Sequence, residues 1–345
     1  MADLDDLLRE GAATPPPRRR RRWPWIVAAA VLVTALTGAG IVAAYLFSLA
    51  NSYSTGVTTL PDDQAFPDAE VRPELTETGA TNILLLGSDT RGEVGDDLES
   101  IRGQRADTIM VVHIPADAQS IQVMSIMRDN WVPLAGHGEA KINAALAYGG
   151  VPLVIQTVEG LIDTRIDHVA IVDFEGFAGV TDALGGVTVE NTVAFTRDGM
   201  DFPQGSITLD GAGALTFVRE RYAFPDGDYQ RVRNQQAYIK GLMTTVLSSA
   251  TLSDPGKISA LVAAISPYLT VDSGLDTTTV GSLGFTLRDV RPDDVTFFTS
   301  PTLGTGTSAD GQSIVLPDWD GLEEVAEAFR TDTVADYAAN LPAEG

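Results

Sequence analysis

Four arginines stand close together in the stretch Leu215–Gln236 of a chain whose formal net charge is −24. They are Arg219, Arg221, Arg231 and Arg233. Clustered cations in an acidic protein indicate an anionic ligand, because something must offset their mutual repulsion. The apolar residues Leu215–Val218 predict an extended segment, which would place Arg219 and Arg221 on one face. The alternative, a set of solvated surface arginines, fits the spacing equally well.

The other two arginines follow a turn signal at Phe224–Gly227. A helix is expected to begin near Asp228. On that helix Asp228, Arg231 and Gln235 share one face, at spacings i, i+3 and i+7, whereas Arg233 points away. Three of the four arginines are therefore predicted to converge, and Arg233 is excluded.

Further polar groups lie at the ends of predicted strands. Gly87–Arg91 follows the first strand, Arg105–Asp107 precedes the second, and Arg128–Asp129 follows the third. Ligands bind outside strand ends in open α/β sheets, so these groups could surround one cleft. Asp89 and Asp107 beside arginines suit a divalent ion shared with a phosphate, since Mg²⁺ commonly takes one or two carboxylates. Each aspartate could instead serve as a turn or cap residue.

The sequence offers no evident side-chain nucleophile. It has no cysteine, its three histidines are scattered, and it contains no G-x-S-x-G, HExxH or Walker sequence. Phosphoryl transfer needs no such group, because positioning and charge stabilisation carry the reaction and a substrate hydroxyl can be the acceptor.

Nucleic acid is a poor partner for so acidic a chain.

The elements that position these residues follow from apolar runs. Asn82–Leu86, Thr108–Ile114 and Ser120–Ile126 predict three buried strands, the last two joined as a hairpin. Later strands are expected at His168–Phe174 and Asp294–Phe298. Helices are expected at Lys141–Leu161 with an interruption at Gly149–Gly150, Glu175–Leu184, Asp210–Leu215, Asp228–Ser249, Gly256–Tyr268 and Asp318–Thr331. The interleaved order predicts an α/β fold, a three-layer α-β-α sandwich with a mixed central sheet.

The N-terminus predicts a membrane anchor. Arg18–Arg22 and two tryptophans precede Ile26–Leu49, which contains no charged residue. This length crosses about 30 Å of hydrocarbon as a helix, and the arginines place the N-terminus in the cytoplasm. A signal peptide would have a shorter apolar region, of about 7–15 residues.

The chain then divides into five expected regions. Residues 1–22 are a mostly disordered cytoplasmic tail, and residues 23–49 are a single transmembrane helix. Residues 50–79, rich in Ser, Thr, Pro and acidic groups, are expected to be a linker. Residues 80–330 form the extracytoplasmic domain, and a disordered tail covers 331–345.

Five segments together resemble the LytR-CpsA-Psr family of cell-wall glycopolymer transferases. They are NILLLGSDTRG (Asn82–Gly92), RADTIMVVHI (Arg105–Ile114), MSIMRDNWV (Met124–Val132), KINAALAYGG (Lys141–Gly150) and ALTFVRERYAFPDGDYQRVRNQQ (Ala214–Gln236). They occur in the family's order over about residues 80–330. Met127 is a departure, because the family commonly has proline there.

The resemblance implies transfer of a glycopolymer from a polyprenyl-pyrophosphate carrier to peptidoglycan. The bond formed would be a phosphodiester, usually to the 6-hydroxyl of muramic acid. By analogy Asp89 and Asp107 match the family's Mg²⁺ ligands, and Arg91 and Gln235 match supporting substrate-binding residues. The catalytic arginines that grip the pyrophosphate would be Arg128, Arg219, Arg221 and Arg231. The family's lipid tunnel could be lined by Leu146, Val154, Ile155 and Val158, although core packing explains these residues more simply.

Two other functions fit the same residues. One is a hydrolase that cleaves the prenyl-pyrophosphate with water as the acceptor, and the other is a non-catalytic polyprenyl-phosphate binding protein in envelope assembly. The pair Asp89 and Asp107 disfavours pure binding, because metal activation of a leaving group serves turnover. Transfer and hydrolysis differ only in the acceptor, which no motif identifies. Either enzyme would act at the cell membrane, where the lipid substrate lies.

Overall fold

The computed structural model describes residues 23–88 and 106–342. The chain divides into two compact units, Met1–Ser48 and Leu49–Gly345. Helix α1, Trp23–Gly56, begins in the first unit and ends in the second. All the remaining elements belong to the second unit.

The strands and helices of the second unit alternate along the chain. The strands are β1 (Thr58–Leu60), β2 (Thr81–Ser88), β3 (Ala106–Ile114), β4 (Ile121–Ile126), β5 (Trp131–Leu134), β6 (Gly138–Lys141), β7 (His168–Asp173), β8 (Val187–Asn191), β9 (Phe195–Arg197), β10 (Met200–Phe202), β11 (Gly205–Leu209), β12 (Leu269–Asp272), β13 (Val295–Thr299), β14 (Thr302–Thr307) and β15 (Ser313–Pro317). The helices are α2 (Asp62–Ala65), α3 (Ala144–Ile162), α4 (Phe174–Ala183), α5 (Gly211–Arg219), α6 (Asp228–Val246), α7 (Ser249–Leu252), α8 (Pro255–Ile265), α9 (Thr277–Thr286), α10 (Trp319–Arg330) and α11 (Val334–Ala339).

The central sheet has seven strands in the order β1-β12-β7-β2-β3-β4-β13. Strands β2 and β7 pair in parallel, as do β4 and β13, whereas β3 is antiparallel to both β2 and β4. The predicted mixed sheet and the hairpin between the second and third apolar runs are therefore confirmed. Both faces are covered, so β4 is buried at every position.

Successive side chains of β2 enter different hydrophobic cores. Leu84 and Leu86 belong to a core formed with α3, α10 and α11. Ile83 and Leu85 pack against a second core, with residues of α6 and α9. A strand sends alternate side chains to opposite faces, so helices lie on both sides of the sheet. This arrangement is the expected three-layer sandwich.

The helix α3 has the interruption that the sequence predicts. Gly150 within it has φ 68° and ψ −161°, a conformation that glycine adopts without steric cost. By length and composition α3 could span a membrane, but most of it is buried inside the protein. The residues proposed for a lipid tunnel are fully buried in the α3 core, as ordinary packing requires. They are Leu146, Val154, Ile155 and Val158.

The expected extended segment at Leu215–Val218 is wrong, because these residues belong to helix α5. The Asp210 carboxylate caps this helix by accepting a hydrogen bond from the Gly213 amide at 2.8 Å. Helical hydrogen bonding continues to Glu220, whose amide donates to the Thr216 carbonyl at 3.1 Å. Ala214, Phe217 and Val218 are buried at helical spacing. Residues Leu215–Val218 alone are too few to distinguish this helical period from the alternation of a strand.

Much of the expected linker is folded onto the domain. Strand β1 pairs in parallel with β12 at the edge of the central sheet. Leu60 and Ala65 are buried in the α3 core. Arg72 forms an ion pair with the buried Glu159 at 2.6 Å. The polar composition of this region therefore conceals several anchoring residues.

The expected disorder after Thr331 is also wrong, because α11 packs against the domain. Val334 and Ala338 of α11 are buried in the α3 core. Asp332 holds the turn between α10 and α11 in place. Its carboxylate lies 3.0 Å from His113 Nε2 and accepts a hydrogen bond from the Ala116 amide. The His113 side chain is itself fully buried.

Candidate anion-binding site

The candidate site lies at the end of the central sheet where β2 and β4 end and β3 begins. Gly87 pairs with Thr108 and Ser88 with Ala106, so Asp107 is an extra residue in a β-bulge. A bulge bends its strand and redirects a side chain, which explains how Asp107 leaves the sheet register. Its side chain is 26% exposed and bonds to the Arg128 guanidinium.

Arg128 follows directly after β4 and is surrounded by carboxylates. Its Nη1 binds Asp107, while its Nε lies 3.6 Å from Asp228 Oδ1 and 3.9 Å from Asp129 Oδ1. Burial opposes its charge, but these three carboxylates outweigh burial and raise the pKa of Arg128 above its ordinary value. Arg128 is thus a fixed cation at the site.

The first turn of α6 supplies the other half of the site. Asp228 Oδ1 lies 2.6 Å from Arg231 Nη2, and the Arg231 side chain is only 5% exposed. The same Nη2 donates a hydrogen bond of 3.5 Å to the Asp107 carbonyl. The predicted helix and its shared face of Asp228 and Arg231 are confirmed. We call Asp107, Arg128, Asp228 and Arg231 the arginine–aspartate cluster.

Burial works against both charges of the Asp228–Arg231 pair. It raises the pKa of the Asp228 carboxyl, although Arg231 and Arg128 pull in the opposite direction. Burial likewise lowers the pKa of Arg231, although Asp228 favours its charged form. Arg221 also affects the pKa of both groups, which places it within electrostatic reach of the cluster.

The carboxylates at the cluster already balance its cations. Asp107, Asp129 and Asp228 surround the two guanidinium groups, and Asp129 also lies 3.2 Å from the Lys141 ammonium. A polyanionic ligand placed here would need further positive charge nearby. That positive charge could come from Arg219, from Arg221 or from a bound cation.

Arg219 and Arg221 are held by the end of α5 and the loop that follows it. Arg219 is the last residue of α5 and is half-buried, so the predicted shared strand face of these two arginines is not formed. Arg221 is half-buried, donates a 2.7 Å hydrogen bond to the Tyr222 hydroxyl, and its guanidinium lies 4.7 Å from the centre of that ring. Both residues nevertheless come next to α6 in space.

Buried amides of α6 explain that proximity. Asn234 donates to the Phe217 carbonyl at 3.2 Å, and Gln235 donates to the Val218 carbonyl at 3.3 Å. Gln235 therefore holds the end of α5 against α6, and its expected role in substrate binding stays a prediction. Arg233 is bound to Asp226 and to Gln230 at 2.7 Å, so its predicted position away from the cluster is confirmed.

The predicted metal pair is only partly described. Asp89 and Arg91 lie outside the described residues, whereas Asp107 is a partly exposed carboxylate inside the cluster. Across residues 23–88 and 106–342, no group of three or more His, Cys, Asp or Glu residues could hold a metal ion. Mg²⁺ needs only one or two protein carboxylates when phosphate oxygens and waters complete its shell. The hard oxygen donor at Asp107, in surroundings rich in carboxylates, fits such an ion.

Sequence reasoning missed three residues that shape the site. The sequence predicts only a shared helix face for Asp228 and Arg231, although their i, i+3 spacing is also that of an ion pair, which the structure contains. Glu220 is buried and accepts hydrogen bonds of 2.9 Å from the Arg221 and Ala223 amides, which fixes the loop. Lys141 reaches Asp129 only through the fold of β6, and no local signal reveals that contact.

An α/β domain that holds arginines beside the ends of its strands has the arrangement of the anion-binding class of α/β proteins. The LytR_cpsA_psr family model matches residues 46–331. The chain therefore belongs to the LytR-CpsA-Psr family, as its five segments predict.

Individual relatives agree with this assignment. The cell wall biosynthesis protein LcpA of Corynebacterium glutamicum is 34% identical over 280 residues, covering 70% of this chain and 54% of LcpA. The chain thus spans about half the length of that relative. The polyisoprenyl-teichoic acid–peptidoglycan teichoic acid transferase TagU of Bacillus anthracis is 34% identical over 244 residues, covering 70% of this chain and 77% of TagU. The crystal structure of B. subtilis TagV shares the fold, with a TM-score of 0.62 and 24% identity over 74% of this chain and 98% of TagV.

Proposed function

We propose that the protein is a phosphotransferase of cell-wall assembly. It attaches a glycopolymer, carried on a polyprenyl pyrophosphate, to peptidoglycan through a phosphodiester bond. Family membership supports this reaction, as do the names of the relatives LcpA and TagU.

The arginine–aspartate cluster is the observation that carries the proposal. Arg231, 5% exposed, and Arg128, 14% exposed, are preorganised by carboxylates at one sheet edge. Such fixed, desolvated donors stabilise the charge that develops on a transferring phosphoryl group. We assign Arg128, Arg219, Arg221 and Arg231 to the pyrophosphate, with Arg91 and Gln235 in supporting positions.

The transfer is one displacement at phosphorus. The acceptor hydroxyl oxygen bonds to the phosphorus that carries the glycan, and the bond from that phosphorus to the bridging oxygen breaks. The bridging oxygen leaves with the electron pair as part of polyprenyl phosphate. The hydroxyl proton passes to Asp228, because burial raises the pKa of this carboxyl and its contact with Arg231 places it beside the phosphate-binding arginines.

We further propose that Mg²⁺ is held by Asp107 together with Asp89. The ion would neutralise phosphate charge and so stabilise the leaving group. The guanidinium groups of the cluster are already balanced by its carboxylates, and this supports the need for an added cation beside a pyrophosphate.

We also propose that the chain is a single-pass protein of the cell membrane, with its N-terminus in the cytoplasm. The uncharged stretch Ile26–Leu49 lies within α1, whose 34 residues give a helix about 50 Å long. The preceding arginines support the orientation. A membrane position would bring the domain to its lipid-linked donor, with peptidoglycan on the same outer side.

The test incubates the full-length protein in detergent with a prenyl-pyrophosphate-linked glycan, peptidoglycan oligomers and MgCl₂. Mass spectrometry should find glycan joined to peptidoglycan through phosphate. Free glycan phosphate alone would indicate hydrolysis, and tight lipid binding without any product would indicate a binding protein.

Two arginines on the same helix provide a matched pair of variants. Arg231→Met should lower the transfer rate by about 100-fold or more, because a buried electrostatic donor is lost. Arg233→Met should have a much smaller effect on the rate, since Arg233 bonds to Asp226 outside the cluster. Equal effects of the two substitutions would show that the cluster is not the reaction site.

A further inference from the structure

A cleft of about 610 Å³ opens beside the arginine–aspartate cluster. One wall is the loop and first turn of α6, Arg221–Tyr229, and the other wall is the β14–β15 hairpin. Asp129 and Lys141 also line it. Its size is that of a site for a small organic ligand.

The lining combines charges of both signs with aromatic rings. Asp226 and Asp228 add carboxylates to Asp129, while Lys141 and Arg221 supply cations. The Tyr222 ring at the mouth is 74% exposed, although its hydroxyl is held by Arg221. Carboxylates and cations bind the hydroxyl groups of a sugar, and an aromatic face packs against the C–H face of a sugar ring. An apolar lipid tail would leave these charges desolvated and unpaired.

The cleft is joined to the phosphate-binding residues through Asp228. Asp228 lines the cleft, and its Oδ1 lies 2.6 Å from Arg231 Nη2 and 3.6 Å from Arg128 Nε. Both Asp228 oxygens are buried, and neither has a hydrogen bond of good geometry to the part of the chain that the structure describes. A ligand hydroxyl that reaches this carboxylate from the cleft, with a small shift of the side chain, would supply that hydrogen bond next to a phosphate held by the arginines.

We propose that this cleft is the binding site of the carbohydrate acceptor, and that it delivers the acceptor hydroxyl to Asp228. The proposal rests on the proposed transfer function. An attacking hydroxyl must arrive in line with the leaving group, so acceptor and lipid approach the phosphorus from opposite sides. A polar cleft that ends at a carboxylate suits the acceptor side of that arrangement.

The β14–β15 hairpin offers a test that leaves the cluster untouched. Thr305 lines the cleft, whereas Thr307 is the same residue type two positions along the same strand, is also exposed, and is not part of the lining. Thr305→Trp should obstruct the cleft, and Thr307→Trp is its matched control. Both full-length variants are assayed in detergent with wild type.

The expected result is a selective loss of acceptor affinity. Thr305→Trp should raise the KM for peptidoglycan oligomers by about tenfold or more, equivalent to about 1.4 kcal/mol of binding. The KM for the lipid-linked donor should stay near that of wild type, and Thr307→Trp should match wild type for both substrates. A rise in the donor KM alone would assign the cleft to the donor glycan and overturn the proposal. Unchanged constants for both substrates would also overturn it.

A binding measurement separates this proposal from the reaction itself. Calorimetry with a peptidoglycan oligomer and no donor should show binding to wild type and Thr307→Trp, and weaker binding to Thr305→Trp. That pattern supports the cleft even if no transfer product forms, in which case only the proposed function fails. Equal binding by all three proteins refutes the cleft assignment even where transfer is observed.

Discussion

Replacing Arg72 by methionine should strongly destabilise the domain. Arg72 donates hydrogen bonds of 2.6 and 3.0 Å to Glu159 Oε1, and one of 3.2 Å to Oε2. The Glu159 side chain is 1% exposed, so the substitution leaves a buried carboxylate without its cation. Breaking a buried ion pair from one side costs about 3–5 kcal/mol.

We expect a loss of folding free energy near the lower limit of this range. Glu159 keeps one hydrogen bond, from the Ile166 amide at 2.9 Å, which reduces the cost. The substitution also removes the 2.6 Å hydrogen bond from Arg72 to the Ile166 carbonyl, which keeps the cost substantial. A loss of about 3 kcal/mol reduces the folding equilibrium constant by more than 100-fold. With a urea dependence of about 3 kcal/mol per M, the unfolding midpoint should fall by about 1 M.

The assay is urea unfolding of the unit Leu49–Gly345, followed by circular dichroism. Adding Glu159→Gln to Arg72→Met should recover part of the loss, because the remaining buried group is then neutral. Arg288→Met is the control, since its side chain is 54% exposed and its ion pair with Asp289 should contribute little. A change below about 0.5 kcal/mol for Arg72→Met would refute the idea that this segment is anchored through a buried charge.

Three further predictions concern the site, the pH dependence and the packing. Asp228→Asn should slow transfer by about 100-fold or more while donor binding persists, which single-turnover kinetics and lipid binding can separate. A hydrogen bond to Asp272 raises the pKa of His168 in the folded state. The charged His168 therefore stabilises the folded state fully below about pH 6.5, and this contribution is lost as pH rises through the folded-state pKa. His168→Gln should therefore flatten the fall in urea midpoint between neutral and alkaline pH, and an unchanged slope would contradict this origin. Gly241→Ala should destabilise by about 1–3 kcal/mol, because the new Cβ would lie 2.3 Å from a β8 carbonyl oxygen, whereas Gly281→Ala, with open space around it, should not.

The sequence predicts the sheet well because its strands are local, strongly apolar runs. Thr108–Ile114 lies within β3 and His168 begins β7, as expected from their composition. The Asp228–Arg231 pair was also predictable, since helical spacing alone brings the two side chains together. In both cases the information lies within a few residues.

Contacts between distant segments could not be predicted in this way. Arg72 and Glu159 are 87 residues apart, and nothing near either residue indicates the other. Arg72 and the short strand β1, of which only Leu60 is apolar, lie in a polar stretch that reads as a linker. The helical end of α5 was missed for a different reason, because four apolar residues fit a strand as easily as one turn of helix.

Strand β1 has a consequence for how the domain is handled in the laboratory. Its three residues, Thr58–Leu60, pair with β12 and so cover one edge of the seven-stranded sheet. An uncovered sheet edge presents unpaired backbone groups that can recruit the same edge of another molecule. Fragments that begin after Leu60 should therefore self-associate through β12 and precipitate, whereas fragments that retain β1 should remain dispersed. If a fragment shortened at its N-terminal end is insoluble, the cause would be the loss of strand β1 and not the absence of a membrane.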